Sequence, residues 1–261
     1  MSEAALTFAD SEAYERFMGQ WSRAAGAPFL EWISAPRGLN WLDVGCGTGV
    51  FTELILRHCA PAAVFGVDPH RAQIEHASRH PMRQRALLRV ARAEALPYSD
   101  EVFDVVASAL TINFIADRSR AMTEMRRVAR ASGTVAAFVW DFGIERSPSG
   151  PLRVALRQSG FEVPDMPGTQ ASRLQALESL FEATGFQDIT ARVFEVTSAY
   201  VNFDAFWDAQ TGPYSPTTPM IEAMTASQRD ELIDRVRAVL PNGGRGAIEY
   251  TARANAVKAR R

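Results

Sequence analysis

The run Leu39-Asn40-Trp41-Leu42-Asp43-Val44 passes directly into Gly45-Cys46-Gly47-Thr48-Gly49 and then into Val50-Phe51-Thr52-Glu53-Leu54-Ile55-Leu56. An apolar segment of strand length, a turn made of glycines and an amphipathic segment in that order leave few folds open. The chain must leave a buried strand through a tight turn and pack a helix back beside it, which is the opening of a βαβ unit. The glycines accept positive backbone angles and keep side chains away from the strand's carboxyl edge, where a ligand can then lie against bare backbone.

The same rhythm continues to residue 141, with AAVFGVD, ALLRVA, FDVVASA and GTVAAFVWDF as further buried strands. Between them TGVFTELILRHCA reads as a helix with Thr48 at its start, and HRAQIEHASRH as one that stops before Pro81. In DRSRAMTEMRRVARASG, Met122, Met125, Val128 and Ala129 share a face, with Asp117 as cap and Gly133 as stop. FQDITARVFEVTSAYV and AIEYTARANAVKA complete a seven-stranded count. The expected fold is therefore α/β, a doubly wound, mostly parallel sheet with an inserted cap.

The expected organisation is an N-terminal helical segment over residues 1–38, a ligand-binding core over 39–142, an insertion over 143–170, and a core helix and strand over 171–201. A second insertion over 202–240 and a last strand over 241–261 complete it. The first insertion is rich in Pro, Gly and Ser, and the second opens on an irregular stretch that gathers Phe203, Phe206, Trp207 and Tyr214. These aromatics form either a cap over an apolar acceptor or a small satellite core.

A formal net charge of -2 gives no global attraction to nucleic acid or to an anionic membrane surface. Arg126, Arg127 and Arg130 cluster at the end of a helix, where cations suit its dipole. Cys46 and Cys59 are too few for a disulfide framework and lack metal-ligand spacing, so a cytoplasmic, metal-free protein is expected. The first residues carry acids and no basic, apolar leader, and no run has the length to span a membrane.

Two departures from a dinucleotide fingerprint narrow the ligand. Val50 stands where the third glycine of G-x-G-x-x-G belongs, and Asp43 sits just before the loop, where it suits an ammonium group better than a pyrophosphate. Asp68 ends the second strand, in position to accept from ribose hydroxyls. With LDVGCGTG and this acid, the chain resembles the class I S-adenosylmethionine (SAM)-dependent methyltransferases, in particular the ubiquinone-biosynthesis-like, type 11 group, over most of residues 10–141.

The resemblance implies a Rossmann-like methyltransferase fold with SAM as cofactor. It implies that Gly45, Cys46 and Gly47 offer backbone to the methionine part, that Asp43 orients the loop or the amino group through water, and that Asp68, followed by Pro69, binds the ribose. The family's adenine motif reads Ala91-Arg92-Ala93-Glu94-Ala95-Leu96-Pro97 here, with Arg92 in place of an aspartate. Ala93 backbone and Glu94 are then expected at the base, or Arg92 stacks on it. Ser108 falls at the carboxyl end of the fourth strand, beside the cofactor. Tyr14 and Trp21 lie on an N-terminal segment similar to the family's helix over SAM, although Tyr14, Phe17, Met18 and Trp21 also suit a helix that simply docks its aromatics.

Methyl transfer needs alignment more than a catalytic triad, and none is visible. Asp141, after the fifth strand, is the candidate general base or else a loop acid in water, and Trp140, Trp207 and Tyr214 are the candidate acceptor contacts. The expected activity is methylation of a small, apolar or aromatic molecule, with no nucleic acid or membrane partner. A SAM-binding module without catalysis and a methyltransferase acting on a macromolecule are the alternatives, and the oligomeric state is left open.

Overall fold

In the computed structural model, which describes residues 11–213 and 215–261, the apolar runs lie side by side in one sheet. Its strands are β1 (Asn40–Val44), β2 (Ala63–Asp68), β3 (Leu87–Val90), β4 (Phe103–Ala109), β5 (Ala129–Trp140), β6 (Gln187–Tyr200) and β7 (Ile248–Arg260). They are ordered β3-β2-β1-β4-β5-β7-β6, and β7 runs antiparallel to both neighbours. Strand order reverses between β1 and β4, so the crevice at their carboxyl ends is where an open sheet of this type binds ligands.

The described helices are α1 (Ser11–Ile33), α2 (Val50–His58), α3 (Arg71–Arg79), α4 (Arg118–Val128), α5 (Gly150–Gln158), α6 (Leu174–Ala183), α7 (Phe203–Gln210), α8 (Thr218–Glu222) and α9 (Ala226–Val239). A core lies on each side of the sheet. Trp41 and Phe138 face α1 and α2 with Trp21, Phe29 and Ile55, whereas Leu42, Val106 and Val135 face Met122, Met125 and Phe181. Neighbouring residues of β1 thus enter opposite cores, which is why the central strands read as unbroken apolar runs. Among the described residues, no helix is long and apolar enough to cross a membrane.

Local signals were answered in two different ways. Asp117 caps α4 as expected, accepting from the Arg120 backbone N–H at 2.9 Å. Gly133 does not stop that helix. The pairing of Ala129 with Phe103 takes the chain straight from α4 into β5, and Gly133 falls inside the strand. Likewise Thr48 is not the cap of α2, because Gly49, at φ 83°, occupies that position and turns the chain without steric cost.

The segments 143–170 and 202–240 leave the sheet after β5 and β6, at the same end of these parallel-running strands. Their helices meet, α5 against α9, in one helical layer. The aromatics of the second segment are largely consumed there: Phe206 is fully buried against Tyr200, and Phe203 lies between Phe206, Trp207 and the Arg237 guanidinium.

Candidate functional site

The glycine loop hangs from the end of β2. The Gly45 and Cys46 N–H groups both donate to the Val67 carbonyl, at 2.8 and 3.0 Å, and the Gly49 N–H closes the turn onto Cys46 O at 2.8 Å. Gly45 is at φ 78°, with Thr111 so close that any Cβ would stand 2.2 Å from its methyl group. The Thr111 hydroxyl donates to the carbonyls of Gly45 and Ala109. Nothing lies within 4 Å of the position a Cβ would take on Gly47, which leaves that backbone bare at the cavity.

Two acids organise this loop. Asp68 accepts from the Gly47 N–H at 3.0 Å and from the His70 N–H at 2.9 Å, with the His70 ring at 3.1 Å. It therefore joins the glycine loop to the start of α3. Asp43 lies fully buried beneath the loop, its Oδ2 accepting from the Thr52 hydroxyl at 2.6 Å and its Oδ1 without a hydrogen-bond partner among the described residues. Burial, reinforced by the charge of Asp68 and opposed by Thr52, pushes its carboxyl up to about 7. Burial next to these two carboxylates also raises the Cys46 thiol well above its usual range, so Cys46 is a wall of the site and not a nucleophile.

Together these residues border a cavity of about 340 Å³ at the carboxyl ends of the strands. On the side of β1, β2 and β3 its lining is Gly45 to Thr48, Asp68, Pro69, His70 and Ala91 to Glu94. On the side of β4 and β5 it is Ala109, Leu110, Thr111, Phe114 to Ala116 and Phe138, and α1 closes the third side with Glu15, Gly19 and Ser22. Leu110 is held at φ 59°, a strained setting for a leucine, by its N–H bond to Phe138 O at 2.8 Å.

Of the cofactor-side residues read from the sequence, Gly45, Cys46, Gly47, Asp68, Pro69, Ala93 and Glu94 line this cavity. Arg92 lines it too but is mostly exposed, and its guanidinium pairs with Glu94 at 2.9 Å. Asp43 lies below the wall, and Ser108 is buried in β4 with its hydroxyl unpartnered among the described residues. Trp21 points away from the cavity into the core, donating to the Tyr200 hydroxyl at 3.0 Å and meeting Trp140 edge to face at 5.8 Å. The side chain of Tyr14, and Tyr214 altogether, lie outside the described residues.

Three of the residues expected on the acceptor side lie away from this cavity. Trp140 is buried against Trp21, and Trp207 is stacked on Phe203, so neither lines the cavity. Asp141 is neither on the wall nor in water. It is buried, with its carboxylate 3.4 Å from Arg253 Nε and its backbone N–H on the Arg253 carbonyl. In their place stand Phe114, Ile115 and Ala116, in the segment after β4. That segment carries no local signal in the sequence, because only the adjacency of β4 to β1 brings it to the crevice at the carboxyl ends of the strands. Glu15, Gly19 and Ser22 did carry one: they repeat at helical spacing on the face of α1 opposite the buried Phe17 and Trp21.

A strand order of this kind, a glycine loop after β1 and an acid at the end of β2 define the class I methyltransferase fold. Residues 42–137 match the family model described as a methyltransferase domain. A ubiquinone/menaquinone biosynthesis C-methyltransferase of Geobacter sulfurreducens is 32% identical over 133 residues, which cover 49% of this chain and 50% of that enzyme. The chain thus matches about half the length of this curated relative.

Solved structures extend the likeness to the whole fold. The YcgJ protein of Bacillus subtilis superposes with a TM-score of 0.59 at 16% identity, covering 91% of this chain and 98% of the other. The Haemonchus contortus phosphoethanolamine N-methyltransferase 2, solved with SAM, gives 0.57 at 17% identity over 95% of this chain and 56% of its own.

Proposed function

We propose that this protein transfers the methyl group of SAM to a small, uncharged acceptor with an apolar or aromatic body. The observation that carries the reading is the division of the cavity lining. The β1–β3 side offers bare glycine backbone and acids, as a ribose and an ammonium group require, and the β4–β5 side offers Leu110, Phe114, Ile115 and Phe138 without a charged side chain. The name of the Geobacter relative, which places that enzyme in quinone biosynthesis, supports an acceptor of this kind.

The residues present fit the cofactor. The half-buried Gly47 backbone, with no atom crowding its side-chain position, suits the methionine part, Asp68 suits the ribose hydroxyls, and the unpartnered Oδ1 of Asp43 under the loop suits a nearby cation. When bound, SAM supplies a methyl group already activated on a sulfonium. The protein's own task is then to hold an acceptor nucleophile in line and keep water out, and effective concentration and alignment carry most of the acceleration. Phe114 and Phe138 provide the flat apolar walls for that, with Leu110 beside them.

The test is transfer from methyl-labelled SAM to a panel of neutral phenols, quinols and their phosphorylated analogues, with calorimetry of S-adenosylhomocysteine alongside. Labelled product from neutral members only is expected. Tight homocysteine-derivative binding with no transfer to any member would favour a binding module, and preferential transfer to the phosphorylated analogues would refute the uncharged acceptor.

A further inference from the structure

Arg83 is almost completely buried, lies outside the cavity lining, and joins two elements that bound it. It sits in the short turn at residues 83–85 after α3. One of its guanidinium nitrogens is 2.7 Å from Glu15 Oε1 and 3.2 Å from Glu53 Oε2, and the other reaches Glu15 Oε2 at 3.3 Å. Glu15 belongs to α1 and lines the cavity, whereas Glu53 is in the first turn of α2, directly after the glycine loop. The aliphatic part of the same side chain crosses Gly49, where a Cβ would come within 2.9 Å of Arg83 Cδ.

Glu15 is also held by His76 of α3 at 3.1 Å and by Arg23 of its own helix at 3.1 Å, and Glu53 by Arg57 at 2.7 Å. Burial alone would push the Glu15 carboxyl up, but Arg83, His76 and Arg23 together bring it below its ordinary value, so it stands as a carboxylate in the cavity wall. Further along, α1 is anchored independently by Trp21 and Phe29 in the core. The turns that carry Glu15 and Gly19 have Phe17 as their buried core contact and add the ion pairs to it.

We propose that Arg83 is a positioning residue, which ties the start of α1 to the glycine loop through Glu15 and Glu53 and so holds α1 against the cofactor side of the cavity. The inference rests on the reading of that cavity as a SAM site. Its physical basis is that the guanidinium is the shared cation of two poorly solvated carboxylates. Without it Glu15 keeps only His76 and Arg23 and Glu53 only Arg57, so no cation is shared between the two helices, and the poorly solvated Glu15 is relieved most cheaply by swinging the end of α1 into water.

Hydrogen exchange of the ligand-free full chain tests the tie directly. In Glu15→Gln and Arg83→Met, the amides of residues 15–20 are expected to exchange about tenfold faster or more, while those of β4 and β5 keep their wild-type rates. S-adenosylhomocysteine should bind about tenfold more weakly to each, the double variant should bind no worse than Arg83→Met alone, and Arg83→Lys should recover part of the loss. If Arg83→Met does not fold, Glu15→Gln decides by itself. Unchanged exchange in Glu15→Gln, or losses that add in the double variant, would overturn the proposal. A wild-type chain that fails to bind S-adenosylhomocysteine would refute the cofactor reading instead, and the ligand-free exchange rates would still decide the tie.

Discussion

Asp68 and Asp43 are two carboxylates near enough for the charge of one to act on the other, and their surroundings differ. Asp68 already spends its oxygens on the Gly47 and His70 N–H groups, so its removal loosens the loop and, on the proposed reading of the cavity, also deprives a ribose of its acceptor. Asp68→Ala should weaken SAM by about 1.5–3 kcal/mol, the scale of lost charge-assisted hydrogen bonds, as read by calorimetry. Asp43 is raised to about 7 by burial, so the folded chain keeps a proton there that the unfolded chain has lost. Its contribution to stability therefore falls as pH rises from the ordinary carboxylate range through about 7, and is flat above. Asp43→Asn should flatten that slope and make the ligand-free protein more resistant to urea at pH 8, while weakening SAM. If both stability and affinity fall together, the carboxylate is structural and the sign argument fails.

Among the elements, the segment after β4 lines the cavity with Phe114, Ile115 and Ala116, and the first insertion packs onto it. Gly168, at φ 71°, presses so closely on this segment that a Cβ would stand 1.9 Å from the Asn113 carbonyl oxygen, and Asn113 Nδ2 donates to Pro167 O at 3.3 Å. Phe114, in the same turn, lines the cavity and leans on Phe142. Gly168→Ala should thus cost more than about 2 kcal/mol through backbone strain and displacement, with a lowered Tm. It should raise KM for the acceptor and leave SAM affinity close to wild type. Equal losses for both ligands would mean that the insertion supports the whole domain and not the acceptor side.

At the scale of the whole molecule, the aromatics divide between holding the helical layer and lining the cavity. Phe206 is fully buried between Tyr200 and Phe203, and Phe206→Ala should cost about 3–5 kcal/mol in denaturant unfolding, the usual range for a core phenylalanine. Phe114 is a cavity wall. Phe114→Ala should lower kcat/KM for the acceptor with a far smaller loss of stability, and a Phe114→Ala enzyme with wild-type efficiency would remove that residue from the acceptor site.

The parallel sheet, its glycine loop and the acid after β2 were legible in the sequence because each has a local cause. Buried parallel strands are apolar on both faces, Gly45 and Gly47 are needed where φ is positive, and Asp68 sits one strand length from its turn. The helix periodicities of α4 and α6 were local in the same sense. What only the tertiary structure decided were matters of distance along the chain. Trp21, Trp140 and Asp141 are residue types that suit a site, yet the packing of α1 on the sheet and the nearness of Arg253 take them into the interior. Phe114 and the tie from Glu15 through Arg83 to Glu53 became visible only once strand order set β4 beside β1 and α1 across the cavity, because ion pairs and walls between residues so far apart leave no period in the sequence.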